Sequence, residues 1–282
     1  MSHDSVSSAT YDLIQRALVE DLAGGEDVTS VATVNDQEQA TAHFAARKSG
    51  VIAGLAVAKA TLESVGITDI ELMVGDGDYV KSGTEILRAK GSTRKLLLAE
   101  RTALNFLGHL SGIATLTRQW VDAVSGTQTK IRDTRKTTPG YRELEKYAVR
   151  MGGGINHRMS LSESALIKDN HIEAAGNVSL AFERVRKQFP EIDIEIEVDT
   201  LDQLREILAH KPDLVLLDNM TPAQCAQAVV ITAGRCKLEA SGGISLENAG
   251  AYAASGVDYI AIGALTHSAP VLDIGLDLKA EI

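Results

Sequence analysis

The sequence predicts an α/β protein made of two dissimilar regions. After Val124, short apolar runs alternate with amphipathic stretches at intervals of roughly 20 to 30 residues, the pattern of repeated βα units. Before Val124 the texture differs: a helical stretch gives way to short alternating runs broken by glycine. With 282 residues, 44% of them hydrophobic, the chain is long enough for one large barrel or for two domains with substantial cores.

The elements follow in order. Residues 9–22 read as an amphipathic helix. The stretch QATAHFAARKSGVIAG and residues 71–90 read as short strands and turns. Two helices are expected between Thr93 and Val124, the second carrying Ile113, Leu116, Trp120 and Val124 along one face. Six strands follow: Thr129 to Asp133, Ser164 to Lys168, Asp193 to Val198, Leu214 to Asp218, Cys236 to Ala240 and Tyr259 to Gly263. Thr221-Pro222 places a cap before a first-turn proline, and Ser245 can cap the helix that begins LENAG. The final LDIGLDL alternates like an edge strand, so the C-terminus is expected to return to the N-terminal region.

Composition narrows the function. A formal net charge of -10 argues against a general nucleic-acid surface, so any phosphate site must be local. The two cysteines, Cys225 and Cys236, form no metal-spaced group and suit a reduced cytoplasmic setting. The N-terminus has no secretory pattern, and no run of about 18 apolar residues spans a membrane.

A parallel barrel gathers the C-terminal ends of its strands at one mouth. Asp133, Arg135, Lys168, Glu197, Asp218, Ser241-Gly242-Gly243 and Gly263 all stand at or just beyond such ends. One Lys or Asp there is commonly a solvated group or a helix cap, so it is the whole set that points to a site. Arg135, Lys136, Arg142, His157 and Arg158 concentrate positive charge in an acidic chain and imply an anionic ligand. Ser241 to Ile244, followed by the Ser245-capped helix, can cradle a monophosphate, with Gly263-Ala264 beside it. Glu197 and Asp218 end adjacent strands and can share a magnesium ion or hold ribose hydroxyls. His109, His171 and His267 lack ligand-spaced partners and read as structural.

The segments EDLAGGEDVTS, ERTALNFLGHLSGIAT, DTRKTTPGYR, GGGINHR, LIKDNHI, EIEV, LLDN and EASGGI resemble, in that order, the quinolinate phosphoribosyltransferase family. The resemblance runs from about Glu20 to Ala264. It implies a small N-terminal α/β sandwich domain over 1–112, an incomplete six-stranded α/β barrel over 113–268, and a return of 269–282 to the first domain. It further implies phosphoribosyl transfer from phosphoribosyl pyrophosphate to quinolinate with decarboxylation, in NAD biosynthesis, with Mg2+. Arg135, His157 and Arg158 would grip the quinolinate carboxylates, and Lys136 and Lys168 would face substrate and pyrophosphate. Glu197 and Asp218 would hold ribose and metal, while Ser241, Gly242, Gly243, Gly263 and Ala264 receive the 5'-phosphate. Arg101 would come across a homodimer interface. Tyr141 after PG, and Ser160 where HRMG is usual, depart from the pattern without removing a charge.

Three other readings remain open on the residues alone. Lys168 at a strand end could be a Schiff-base amine of an aldolase. SGGIS could serve a barrel that binds a phosphometabolite without turnover. A nicotinate phosphoribosyltransferase shares the reaction type, although the Arg135 and His157-Arg158 set favours a dicarboxylate.

Overall fold

A computed structural model of the chain describes Val6–Ala280. It divides into two compact units. The first is built from the chain up to Arg118, Thr138–Gly153 and the chain from Ser268; the second comprises Gln119–Thr137 and Gly154–His267.

Strands of the first unit are β1 (Gln39–Ala46), β2 (Gly50–Val51), β3 (Asp69–Leu72), β4 (Tyr79–Val80), β5 (Glu85–Ser92) and the C-terminal β12 (Ile274–Ala280). Four form an antiparallel sheet in the order β12-β1-β5-β3, and β2 pairs with β4. Alternate residues of β1, Ala40, Ala42, Phe44 and Ala46, are fully buried. With their small side chains these alanines admit helices close to the sheet: Leu55, Ala58 and Leu62 from Leu55–Ser64 and Leu96, Ala99, Ala103 and Leu107 from Thr93–Ala123 complete one core. The helix expected over 9–22 spans Ser8–Leu22, with the Ser7 side chain accepting from the Thr10 amide. The returning strand is present as the edge strand β12, paired antiparallel with β1.

Two helices were expected from Thr93 to Val124, but one helix of 31 residues, Thr93–Ala123, occupies the segment. Its glycines mark close approach rather than a break. A Cβ on Gly112 would lie 2.1 Å from the Pro270 carbonyl oxygen, and the Gly108 oxygen accepts from Leu272 N at 3.0 Å. Absent side chains let the returning chain lie directly on the helix.

The units also follow different lines from the expected segments 1–112, 113–268 and 269–282, because Thr138–Gly153 packs with the first unit. In its helix Arg142–Met151, Tyr147 donates to Asp76 Oδ2 at 2.7 Å and the buried Glu145 meets His109 Nε2 at 2.9 Å. Gly152 fits under Ala114 and Thr117, where a Cβ would come within 2.4 Å of a carbonyl oxygen.

The second unit holds β6 (Lys130–Arg132), β7 (Ala165–Ile167), β8 (Ile194–Val198), β9 (Leu214–Asp218), β10 (Lys237–Ser241) and β11 (Tyr259–Ala261). They form one parallel sheet in the order β6-β11-β10-β9-β8-β7, each within two residues of its expected span. No ladder joins β7 to β6 among the described residues, so the barrel is incomplete. Thr221 accepts from the Gln224 amide with Pro222 in the first turn, and the Ser245 amide donates to Asn248 Oδ1 at 2.8 Å. Both caps fix where a helix leaves the strand ends.

Candidate active site

Because all six strands run parallel, their C-terminal ends open on one side of the sheet, where a cavity of ≈ 680 Å³ lies within the second unit. Arg135, Lys136, His157, Arg158, Lys168, Glu197, Asp218, Ser241, Gly242, Gly243, Gly263 and Ala264 all line it. Asp133 does not: it is fully buried, accepting from the His157 amide at 2.8 Å and from Asn156 Nδ2 at 2.5 Å. A residue at a strand end can turn inward as a clamp for the next loop, and Asp133 does so. Arg101 lies outside the second unit. It is exposed in the first, where it borders a smaller cavity with Glu20, Asp21, Asn105, His109 and Tyr141.

One side of the mouth is cationic. Arg158 is nearly buried and its Nη1 donates to the Ser164 carbonyl at 2.6 Å. Burial and the like charge of Arg135 lower its proton affinity. Two guanidiniums that repel one another beside a cavity are relieved by an anion. Arg135 Nε is itself buried without a hydrogen-bond partner among the described residues. Lys136 and Lys168 are exposed; the Lys168 amide is held by His171 Nδ1 at 3.0 Å, which gives His171 a structural task. His267, discounted on sequence, lines the cavity as well.

The other side is acidic. Ligand oxygens of Glu197, Asp199 and Asp218 lie within 4.8 Å of one another. Lys168 Nζ stands 3.6 Å from Glu197 Oε2. Burial raises the Glu197 and Asp218 pKa values, Asp199 adds to both, and Lys168 only partly opposes. Such a group of hard oxygens, with no His or Cys, fits a magnesium-like cation. Asp199 was missed although it follows Val198 in EIEVDT; its signal was one residue beyond the strand.

The phosphate-sized loops are shaped by backbone. Asn219 adopts φ 53, its side chain donates to Asp218 Oδ2 at 2.6 Å, and its amide donates to the Ser241 oxygen at 2.9 Å. Gly242, at φ +88, sits so close that a Cβ would come within 2.2 Å of Asn219 Oδ1. Glycine is required there by both conformation and space.

Beneath the mouth lies a layer that sequence reasoning also missed. Glu195 and Glu239, 5% and 0% exposed, face inward from β8 and β10. Arg132 Nη1 donates to Glu239 Oε2 at 2.7 Å, and its guanidinium carbon stacks 4.6 Å from the Tyr259 ring centroid. Burial pushes both carboxyls up, and Glu195 pushes Glu239 further. The signal was the alternation itself: Glu195 and Glu197, then Lys237, Glu239 and Ser241, share the parity of the mouth residues.

A parallel α/β unit whose strand ends gather arginines, lysines, an acid cluster and glycine loops defines an enzyme that handles phosphorylated anions. The chain matches the family described as "Quinolinate phosphoribosyl transferase, C-terminal domain" over residues 113–277, and the corresponding N-terminal domain over residues 27–111. A nicotinate-nucleotide pyrophosphorylase [carboxylating] of Mycobacterium leprae is 52% identical over 99% of this chain and 100% of its own. NadC from Streptococcus pyogenes superposes with a TM-score of 0.94 at 39% identity, covering 100% of both chains. Human nicotinic acid phosphoribosyltransferase, at 12% identity, TM-score 0.61, and covering 94% of this chain and 73% of its own, shares the fold alone. The chain belongs to the quinolinate phosphoribosyltransferase family.

Proposed function

We propose that the mouth of the second unit joins quinolinate to phosphoribosyl pyrophosphate and releases pyrophosphate and carbon dioxide, leaving nicotinate mononucleotide. The family supplies the activity, a decarboxylating quinolinate phosphoribosyltransferase of NAD biosynthesis. The observation that carries the residue roles is the two-sided mouth, cationic at Arg135 and Arg158 and acidic at Glu197, Asp199 and Asp218.

In this reading Arg135 and Arg158 take the two carboxylates and aim the pyridine nitrogen at C1' of the ribose, while His157, its ring held by Glu195 and the Arg158 amide, backs Arg158. Glu197 and Asp218 lie against the ribose hydroxyls and favour positive charge at C1'. The N1–C1' bond forms as the C1'–oxygen bond breaks, and Lys136 and Lys168 meet the charge growing on the departing pyrophosphate. Amides of Ser241, Gly242, Gly243, Gly263 and Ala264 receive the 5'-phosphate. With N1 quaternary, the C2–carboxylate bond breaks to carbon dioxide, its electron pair stays at C2 beside the positive nitrogen, and a proton replaces it. Mg2+ held by Glu197, Asp199 and Asp218 would add charge stabilisation for pyrophosphate.

We propose also that the enzyme is a cytoplasmic homodimer in which Arg101 completes the partner's site; its exposure on the first unit suits that role. Among the described residues no helix is long and apolar enough to cross a membrane, and both cysteines are free.

The test is an assay with quinolinate, phosphoribosyl pyrophosphate and Mg2+, following nicotinate mononucleotide and carbon dioxide together. Nicotinate as sole pyridine substrate should be used at least about a hundredfold less well, because one guanidinium then lacks its carboxylate. Equal use of the two acids would remove the dicarboxylate assignment.

A further inference from the structure

His157 is fixed from two directions, by the main chain of Arg158 and by Glu195. Its Nδ1 accepts the backbone N–H of Arg158 at 2.8 Å, and its Nε2 lies 2.7 Å from Glu195 Oε2. With Nδ1 accepting from the Arg158 amide, Nε2 is the ring nitrogen left to carry a proton towards Glu195. On the main-chain side, Asp133 takes the His157 amide and the Asn156 side chain. Arg158 therefore follows a residue whose backbone and ring are both tied, and its own guanidinium is fastened to the Ser164 carbonyl.

Glu195 does not line the cavity, whereas His157 and Arg158 do. It is almost completely buried on β8; the neighbouring inward acid, Glu239, gives Oε2 to Arg132 and keeps Oε1 3.9 Å from His157 Nε2, against 2.7 Å for Glu195. A buried carboxylate 2.7 Å from one ring nitrogen fixes the plane of that ring.

We infer that Glu195 is a positioning residue for quinolinate, holding the His157 ring so that the Arg158 amide and guanidinium stand ready for the substrate carboxylates. The inference rests on the assignment of Arg158 to the dicarboxylate. A guanidinium already placed loses less freedom on binding, so the contribution falls on quinolinate affinity. Phosphoribosyl pyrophosphate, which the lysines, the acids and the glycine loops receive, is not affected by it.

The experiment is steady-state kinetics of the full-length enzyme and its Glu195→Ala, Glu195→Gln and Arg158→Ala variants, varying each substrate in turn. Histidine-labelled wild-type enzyme is examined by 15N NMR alongside. Glu195→Ala should raise KM for quinolinate about tenfold or more, through loss of the acceptor that orients Nε2, while KM for phosphoribosyl pyrophosphate holds. Glu195→Gln, whose amide oxygen still accepts, should recover most of the loss. The NMR spectrum should show the His157 proton on Nε2 and a non-protonated Nδ1.

Equal effects on both KM values, no effect on either, or a Gln variant as impaired as Ala would overturn the inference. So would a His157 ring protonated on Nδ1, a result that does not depend on any variant folding. If Arg158→Ala leaves quinolinate KM unchanged, the site assignment itself fails. If Arg158→Ala raises it and Glu195→Ala does not, only the positioning role fails.

Discussion

At the scale of single residues, the mouth separates groups that hold the fold from groups that face the cavity. Lys136 and Lys168 are exposed, and Lys168 Nζ stands 3.6 Å from Glu197 Oε2. Alanine at either position should lower kcat about a hundredfold with the melting temperature unchanged, since each acts on developing charge rather than on packing. Turnover close to wild type in both variants would take them out of the reaction. The place of these lysines, with Arg135, Arg158, Glu197 and Asp218, around the cavity was legible in the sequence because a parallel sheet gathers its strand ends at one mouth whatever the packing below. Asp133 was not, since a sequence gives the strand end but not whether its side chain turns into the mouth or under the following loop.

At the scale of elements, two features carry predictions. Gly242 stands at φ +88 with Asn219 Oδ1 in the place of a Cβ, so Gly242→Ala must displace the loop that Asn219 ties to Ser241. A stability loss of about 1–3 kcal/mol is expected, together with a larger rise in KM for phosphoribosyl pyrophosphate than for quinolinate. Equal rises would mean that the loop serves the whole mouth. The second feature is the charged layer below it. Burial and the neighbouring Glu195 hold the Glu239 carboxyl above the ordinary carboxylate range. A carboxyl that binds its proton more tightly when folded adds stability at low pH, and that stability is lost as pH rises through the folded pKa. Glu239→Gln keeps the size and removes this titration. From about pH 5 to about pH 9 the wild-type melting temperature should therefore fall relative to the variant, while Glu195 leaves a residual slope. A difference that stays flat with pH counts against a raised Glu239. The six strands were legible because β-period alternation and turn residues are local. The single helix Thr93–Ala123 was not, because what makes Gly108 and Gly112 helical is a chain segment about 160 residues away in sequence.

At the scale of the whole molecule, the proposed dimer makes a quantitative prediction. If Arg101 serves the partner's mouth, Arg101→Ala and Lys168→Ala enzymes are each inactive, but a mixed dimer has one intact site. Mixing equal amounts after dissociation should restore about a quarter of wild-type activity. No recovery despite demonstrated subunit exchange would place Arg101 elsewhere. The same scale shows a consequence of β12. The sheet of the first unit is filled by β1, β3 and β5 early in the chain and finished by Ile274–Ala280, after every strand of the second unit. On the ribosome, then, the six-stranded unit is synthesised in full while the unit begun before it still has one edge of β1 without its partner. A nascent chain stalled short of Ile274 carries the strands of the second unit together with a bare strand edge, a ready template for pairing with another chain.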